Sequence, residues 1–129
     1  MGRTVLVVED TAHSSSTLEV ALLTVPDIDV VVAADGRQAL EFLNHPGETG
    51  PRVLVTDLNM PRLDGFELIE RVRRDRRYQR LPIVVLSGDT DPRTPERLRR
   101  LGADAFFTKP YSPGEVRAKI EELLNAYPP

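Results

Sequence analysis

The chain has 129 residues, 40% of them hydrophobic and 29% charged, with a formal net charge of -3. That length suits one domain and lets roughly two-thirds of the unfolded surface be buried, and so small a net charge gives no general attraction to nucleic acid or a membrane surface. The absence of cysteine excludes disulfides and thiol chemistry, and no apolar run approaches the roughly 20 residues of a membrane span.

Residues 4–8 read as a first strand, ending on the acids Glu9 and Asp10. The three residues before it leave no room for a signal peptide. Leu18, Ala21 and Leu22 then share one helical face by their i, i+3, i+4 spacing, with Pro26 expected to close the helix. A second strand covers residues 29–33. Ala39, Leu40 and Leu43 form the inward face of a second helix, and the Pro- and Gly-containing stretch 44–51 is a loop. The third strand, residues 53–56, runs into Asp57. Asp64 opens a third helix with Phe66, Ile69 and Val72 inward and Leu68 flanking them. Its far end carries Arg71, Arg73, Arg74, Arg76, Arg77 and Arg80. With no interleaved aromatics, that run reads as a solvated helix end whose cations suit the C-terminal dipole. Residues 83–87 make a fourth strand ending on Ser87. Asp91-Pro92 and Thr94-Pro95 each resemble a cap followed by a first helical residue, so the fourth helix is expected to be short and weakly held at its start, ending at Gly102. The fifth strand, residues 105–108, leads to Lys109-Pro110. Ser112 caps the last helix with Pro113 in its first position, and Val116, Ile120, Leu123 and Leu124 face inward. A single domain over residues 1–129 is expected, with a core of about 3–125 and residues 126–129 as a tail or linker stub.

Five strand–helix repeats predict an α/β fold with a parallel sheet and helices on both faces, since each crossover carries a helix back across the sheet. Right-handed crossovers leave few layouts. The flavodoxin-like order 2-1-3-4-5 places strands 1 and 3 side by side at the switch point, which gathers Glu9, Asp10 and Asp57. Three carboxylates in one pocket repel: at an effective dielectric near 20, a pair about 4 Å apart costs roughly 4 kcal/mol. Protonation of one acid, or a divalent cation, relieves this. Oxygen-only ligands favour Mg²⁺ over zinc, and three acids, Lys109 and a dication sum to zero. A carboxylate at such a site can act as a nucleophile toward phosphorus, with cations and the Ser87 hydroxyl around the phosphoryl oxygens.

The motifs Val7-Val8-Glu9-Asp10, Asp57-Leu58-Asn59-Met60-Pro61 with Asp64-Gly65, Ser87-Gly88, and Gly102-Ala103-Asp104 through Lys109-Pro110 occur in order along nearly the whole chain. Together they resemble the receiver domain of two-component response regulators, similar to the chemotaxis type. The resemblance implies that Asp57 is the phosphoacceptor, taking a phosphoryl group from a histidine kinase or histidine phosphotransfer protein. It implies Mg²⁺, with Mn²⁺ as the other candidate, held by Asp10, Asp57 and the Asn59 backbone carbonyl, with Glu9 acting through water. Ser87 becomes the switch hydroxyl, Lys109 the phosphoryl-pairing cation and Phe106 the switch aromatic. Lacking a hydroxyl, Phe106 would be driven by packing alone. Pro110 would follow a cis peptide bond, and Tyr111 stands where the family often has Phe. Leu58 and Asp89 fall where the family tunes the lifetime of its phosphate. A cytoplasmic signalling protein is implied, catalysing its own phosphorylation and dephosphorylation and passing the state on through the fourth helix, fifth strand and fifth helix to a downstream protein or output domain. No nucleic acid or membrane contact is expected.

Two other readings fit parts of the pattern. One is a pseudo-receiver that docks a partner without phosphorylation. The other is a hydrolase with an aspartate nucleophile. The haloacid dehalogenase pattern wants a second acid two residues after the nucleophile, and Asn59 stands there. His13 and His45 read as surface residues.

Overall fold

The computed structural model describes residues 3–9, 16–45, 50–58, 60 and 63–126. Five strands, β1 (Arg3–Val8), β2 (Ile28–Ala33), β3 (Val53–Asp57), β4 (Ile83–Ser87) and β5 (Ala105–Thr108), alternate with α1 (Ser16–Leu22), α2 (Gly36–Asn44), α3 (Gly65–Arg74), α4 (Thr94–Leu101) and α5 (Pro113–Ala126). A short 3₁₀ turn, Arg76–Tyr78, follows α3. All strand pairs are parallel and the sheet order is β2-β1-β3-β4-β5.

The core divides by strand alternation, because successive side chains point to opposite faces. Leu6, Val8, Leu54, Ile83 and Val85 pack with Ala39 and Leu43 of α2, Leu68, Ile69 and Val72 of α3, and Leu98 of α4. Val5, Val7, Val53, Val55, Val84 and Leu86 pack with Leu18 and Leu22 of α1 and Val116, Ile120, Leu123 and Leu124 of α5. Every residue of β3 and β4 is buried, as expected for central strands covered on both sides. On β5, Phe106 joins the first cluster and Phe107 the second, so the pair alternates across the sheet.

Several local expectations need correcting. Helix α1 stops at Leu22, four residues before Pro26; the Thr24 hydroxyl donates to the Ala21 carbonyl (2.6 Å) and satisfies one of the last-turn acceptors. In α3 it is Leu68 that is fully buried, while Phe66 is only half-buried and lies beneath the Arg97 guanidinium, 3.7 Å from its centroid. Arg73 is not a solvated cation either: it donates to the carbonyls of Tyr78 (2.8 Å) and Gly102 (2.7 Å) and pairs with Asp104. In α4 neither expected cap stands at the N-cap position. Arg93 occupies it with helical backbone and no side-chain capping bond, its guanidinium being paired with Asp91, and Thr94 is already helical and buried. The caps of α3 and α5 agree with the sequence: Asp64 accepts from the Glu67 N–H (2.9 Å) and Ser112 from the Glu115 N–H (3.3 Å). Helix α5 continues to Ala126. Among the described residues, no helix is long and apolar enough to cross a membrane.

Candidate functional site

Asp57 closes β3, the central strand, and is 7% exposed. Its position is set from behind by α3. The Gly65 N–H donates to the Leu58 carbonyl (2.9 Å), and a Cβ on Gly65 would strike the Asp57 carbonyl oxygen and come within 2.7 Å of Leu58 Cα. Only a glycine lets the helix start this close to the strand end. Thr56 adds a buried hydroxyl bond to the Asp57 carbonyl (2.8 Å).

Glu9 follows β1, which pairs with β3 up to Val8 opposite Thr56, so Glu9 and Asp57 each stand one residue beyond the last pair on neighbouring strands. Glu9 is 4% exposed and its backbone N–H is held by the Ala33 carbonyl (3.0 Å). Ser87 ends β4, is 2% exposed and pairs with Thr108. Lys109 comes next after β5; its N–H donates to the Ser87 carbonyl (2.8 Å), which ties the two loops together. Its Nζ reaches across to lie 2.6 Å from Asp57 Oδ1. That contact is an ion pair, since Oδ1 accepts no hydrogen bond of good geometry among the described residues. The Lys109–Pro110 peptide is cis. Phe106 is half-buried and lines a shallow depression of about 160 Å³ with Pro95, Leu98, Arg99 and Ala103.

The sheet thus brings Asp57, Glu9, Ser87 and Lys109 to the carboxyl ends of four strands, where ligands sit in open parallel sheets. Asp10, Asn59 and His13 lie outside the described residues. Among the described residues no group of three His, Cys, Asp or Glu forms a metal cluster, the expected third carboxylate being Asp10. A hard dication nonetheless suits this chemistry: two buried acids supply only oxygen, and Asp57 Oδ1 keeps acceptor capacity that one lysine does not fill.

Three structural contacts around the sheet were not legible in the sequence. Arg73 was read with its neighbours as a solvated helix end, and Asp104 only as part of the family motif, although Asp104 accepts from the Ile83 N–H (2.8 Å). The third is that of Thr94, whose partner Asp89 lies across the loop after β4.

A doubly wound parallel sheet in this strand order, with a buried acid, a serine and a lysine at its ligand end, defines the receiver class of flavodoxin-like folds. The chain belongs to the response regulator receiver domain family, whose model matches residues 5–121. It is 31% identical to the response regulator Rre1 of Synechocystis over 92% of its own length and 50% of Rre1. It is 29% identical to the chemotaxis protein CheY1 of Helicobacter pylori over 93% of its length and 95% of that protein. The chain therefore spans about half of one curated relative and nearly all of another. Among solved structures, the receiver domain of the Francisella response regulator 1452 superposes with a TM-score of 0.83 at 27% identity, covering 97% and 98% of the two chains. The Mn²⁺-bound form of the response regulator Rcp1 does so with 0.78 at 25% identity, covering 94% and 91%.

Proposed function

We propose that residues 1–129 act as one phosphoacceptor receiver domain and that Asp57 takes a phosphoryl group from the phosphohistidine of a histidine kinase or histidine phosphotransfer protein. The observation that carries this reading is the buried Asp57 carboxylate at the end of the central strand, faced by Lys109 at 2.6 Å. In the transfer the donor's P–N bond breaks with its electron pair passing to nitrogen and a P–O bond forms on an Asp57 oxygen; with the donor ring protonated on its other nitrogen, a neutral imidazole leaves. Lys109 screens the incoming anion, and the Ser87 hydroxyl is placed to donate to a phosphoryl oxygen. Mg²⁺ or Mn²⁺ would be held by Asp57 and Asp10, the Asn59 backbone carbonyl and, through water, Glu9; when bound, the ion neutralises charge on the phosphoryl oxygens. The same site catalyses removal of the phosphoryl group.

Phosphorylation takes the Asp57 side chain from -1 to about -2. Ser87 and Lys109 then follow the new anion, and the loops after β4 and β5 carry the change to Phe106 and the surface of α4, β5 and α5, which meets a downstream protein or output domain. The protein works in the cytoplasm, without nucleic acid or membrane contact of its own.

Intact mass after incubation with acetyl phosphate tests this, with and without Mg²⁺, on the parent protein and Asp57→Asn. One phosphoryl adduct that needs Mg²⁺ and vanishes in the variant is expected. No adduct on the parent, with beryllofluoride also failing to bind, would leave the phosphorylation-independent docking module as the better reading.

A further inference from the structure

The loop between β4 and α4 holds a chain of side-chain hydrogen bonds that phosphoryl binding does not by itself require. The Asp89 N–H donates to Ser87 Oγ (2.9 Å). The Asp89 carboxylate accepts from the Asp91 N–H (2.8 Å) through Oδ1 and from the Thr94 hydroxyl (2.9 Å) through Oδ2. Thr94 is 4% exposed and is the first residue of α4. That helix has no side-chain cap at Arg93, so the Thr94 hydroxyl and the Thr94 N–H to the Asp91 carbonyl (3.1 Å) anchor its first turn.

A serine hydroxyl has one proton to give and two lone pairs to offer. With the Asp89 N–H on one lone pair, the Ser87 oxygen is held from the loop side and its proton remains to be given to another acceptor. Ser87 stands one residue beyond Leu86, which pairs with Asp57. We propose that Asp89 is a positioning residue for the Ser87 hydroxyl, and that its carboxylate ties that position to the first turn of α4 through Thr94. The inference rests on the phosphoacceptor reading of Asp57.

Movement of Ser87 toward a phosphoryl oxygen has two outcomes. The Asp89 N–H stays behind and its bond breaks, or Asp89 follows and draws on the Thr94 hydroxyl. Thr94 is buried, so its donor is costly to leave unpaired, and the first turn of α4 moves with the loop. A carboxylate two residues from Ser87 also feels the added charge at Asp57.

The test is hydrogen exchange of peptides covering residues 88–98 in the full chain, before and after acetyl phosphate with Mg²⁺, with intact mass recording adduct occupancy. The variants are Thr94→Val, which keeps shape and loses the donor, and Thr94→Ser, which keeps the donor. In the parent, phosphorylation is expected to change exchange in this segment. In Thr94→Val, resting exchange rises roughly fivefold, the size of one lost hydrogen bond, and phosphorylation adds no further change although the adduct forms equally well. Thr94→Ser restores both behaviours. A resting rate in Thr94→Val equal to the parent's would overturn the hold on α4. A phosphorylation-linked change that survives in Thr94→Val, or is absent from a fully phosphorylated parent, would overturn the coupling. Failure of the parent to take any adduct would overturn the receiver reading and the coupling with it, while the resting rates of the two variants still decide whether Asp89 holds the helix.

Discussion

The two ends of the sheet solve opposite problems. At the amino end of β4, one guanidinium closes the structure: Arg73 bridges the carbonyls of Tyr78 and Gly102 and pairs with Asp104, whose Oδ2 also takes the Ile83 N–H. Nearby, the buried Tyr78 hydroxyl donates to the Leu43 carbonyl (2.6 Å), which joins the 3₁₀ turn to α2. These polar groups find partners within the chain, so this end adds stability and offers little to a ligand. At the carboxyl end the groups are arranged differently. Two acids are buried beside one another's strands, Asp57 Oδ1 has an ion pair without a good hydrogen bond, and Ser87 Oγ accepts from the Asp89 N–H, which leaves its own proton to give. Unused capacity of that kind lowers stability and is what a binding site requires.

Removing a charged group should therefore act in opposite directions at the two ends. Arg73→Met removes two charged hydrogen bonds and an ion pair and strands two carbonyls; the midpoint of urea unfolding should fall by the equivalent of about 2–3 kcal/mol, while phosphoryl uptake continues at Asp57. An unchanged midpoint would dissolve the contrast. Gly65→Ala forces α3 off the back of Asp57, with a cost of about 1–3 kcal/mol as for overpacking. Unlike Arg73→Met, it should also slow adduct formation, measured by mass against time. Asp57→Asn works the other way: it removes a charge from a pocket shared with Glu9, so stability should stay level or rise by about 1 kcal/mol as the adduct disappears. A large loss of stability there would mean that the ion pair with Lys109 holds the fold together.

The smallest effect sharpens the picture at the closed end. Hydrogen bonds from the Arg77 side chain, then from its backbone N–H, hold the Asp75 carboxyl below its ordinary value of 3.8. A carboxyl lowered in the folded state contributes stability that is complete above the unfolded value and is lost as pH falls through the folded one. Because this pair is solvent-screened, Asp75→Asn should only slightly flatten the pH dependence of unfolding below about pH 4, read by urea titration at several pH values.

Much of the framework was legible because its signals are local. The bounds of β4 and β5 agree with the sequence since each is an apolar run stopped by a polar residue and a Gly or Pro. Asp64 and Ser112 act as caps because a cap needs only a side chain and an N–H three residues on. The start of α4 was misjudged because Thr94 spends its hydroxyl on Asp89, five residues back in a loop, and not on its own helix. Leu68 was set aside for Phe66 because a helical face defined by spacing has no marked centre. Which residue goes deepest depends on where α4 lies, and Arg97 covers Phe66 from there.

By itself the sequence determined the repeat of five strands and five helices, the ends on which Glu9, Asp57, Ser87 and Lys109 stand, and the motifs that mark the family, because periodicity, capping and turn chemistry act within a few residues. Only the tertiary structure decided that Lys109 reaches Asp57, that Gly65 must lack a side chain, that Arg73 closes one end of the sheet and that Asp89 joins Ser87 to Thr94. Those contacts join residues brought together by parallel pairing and loop closure, and spacing along a chain carries no record of them.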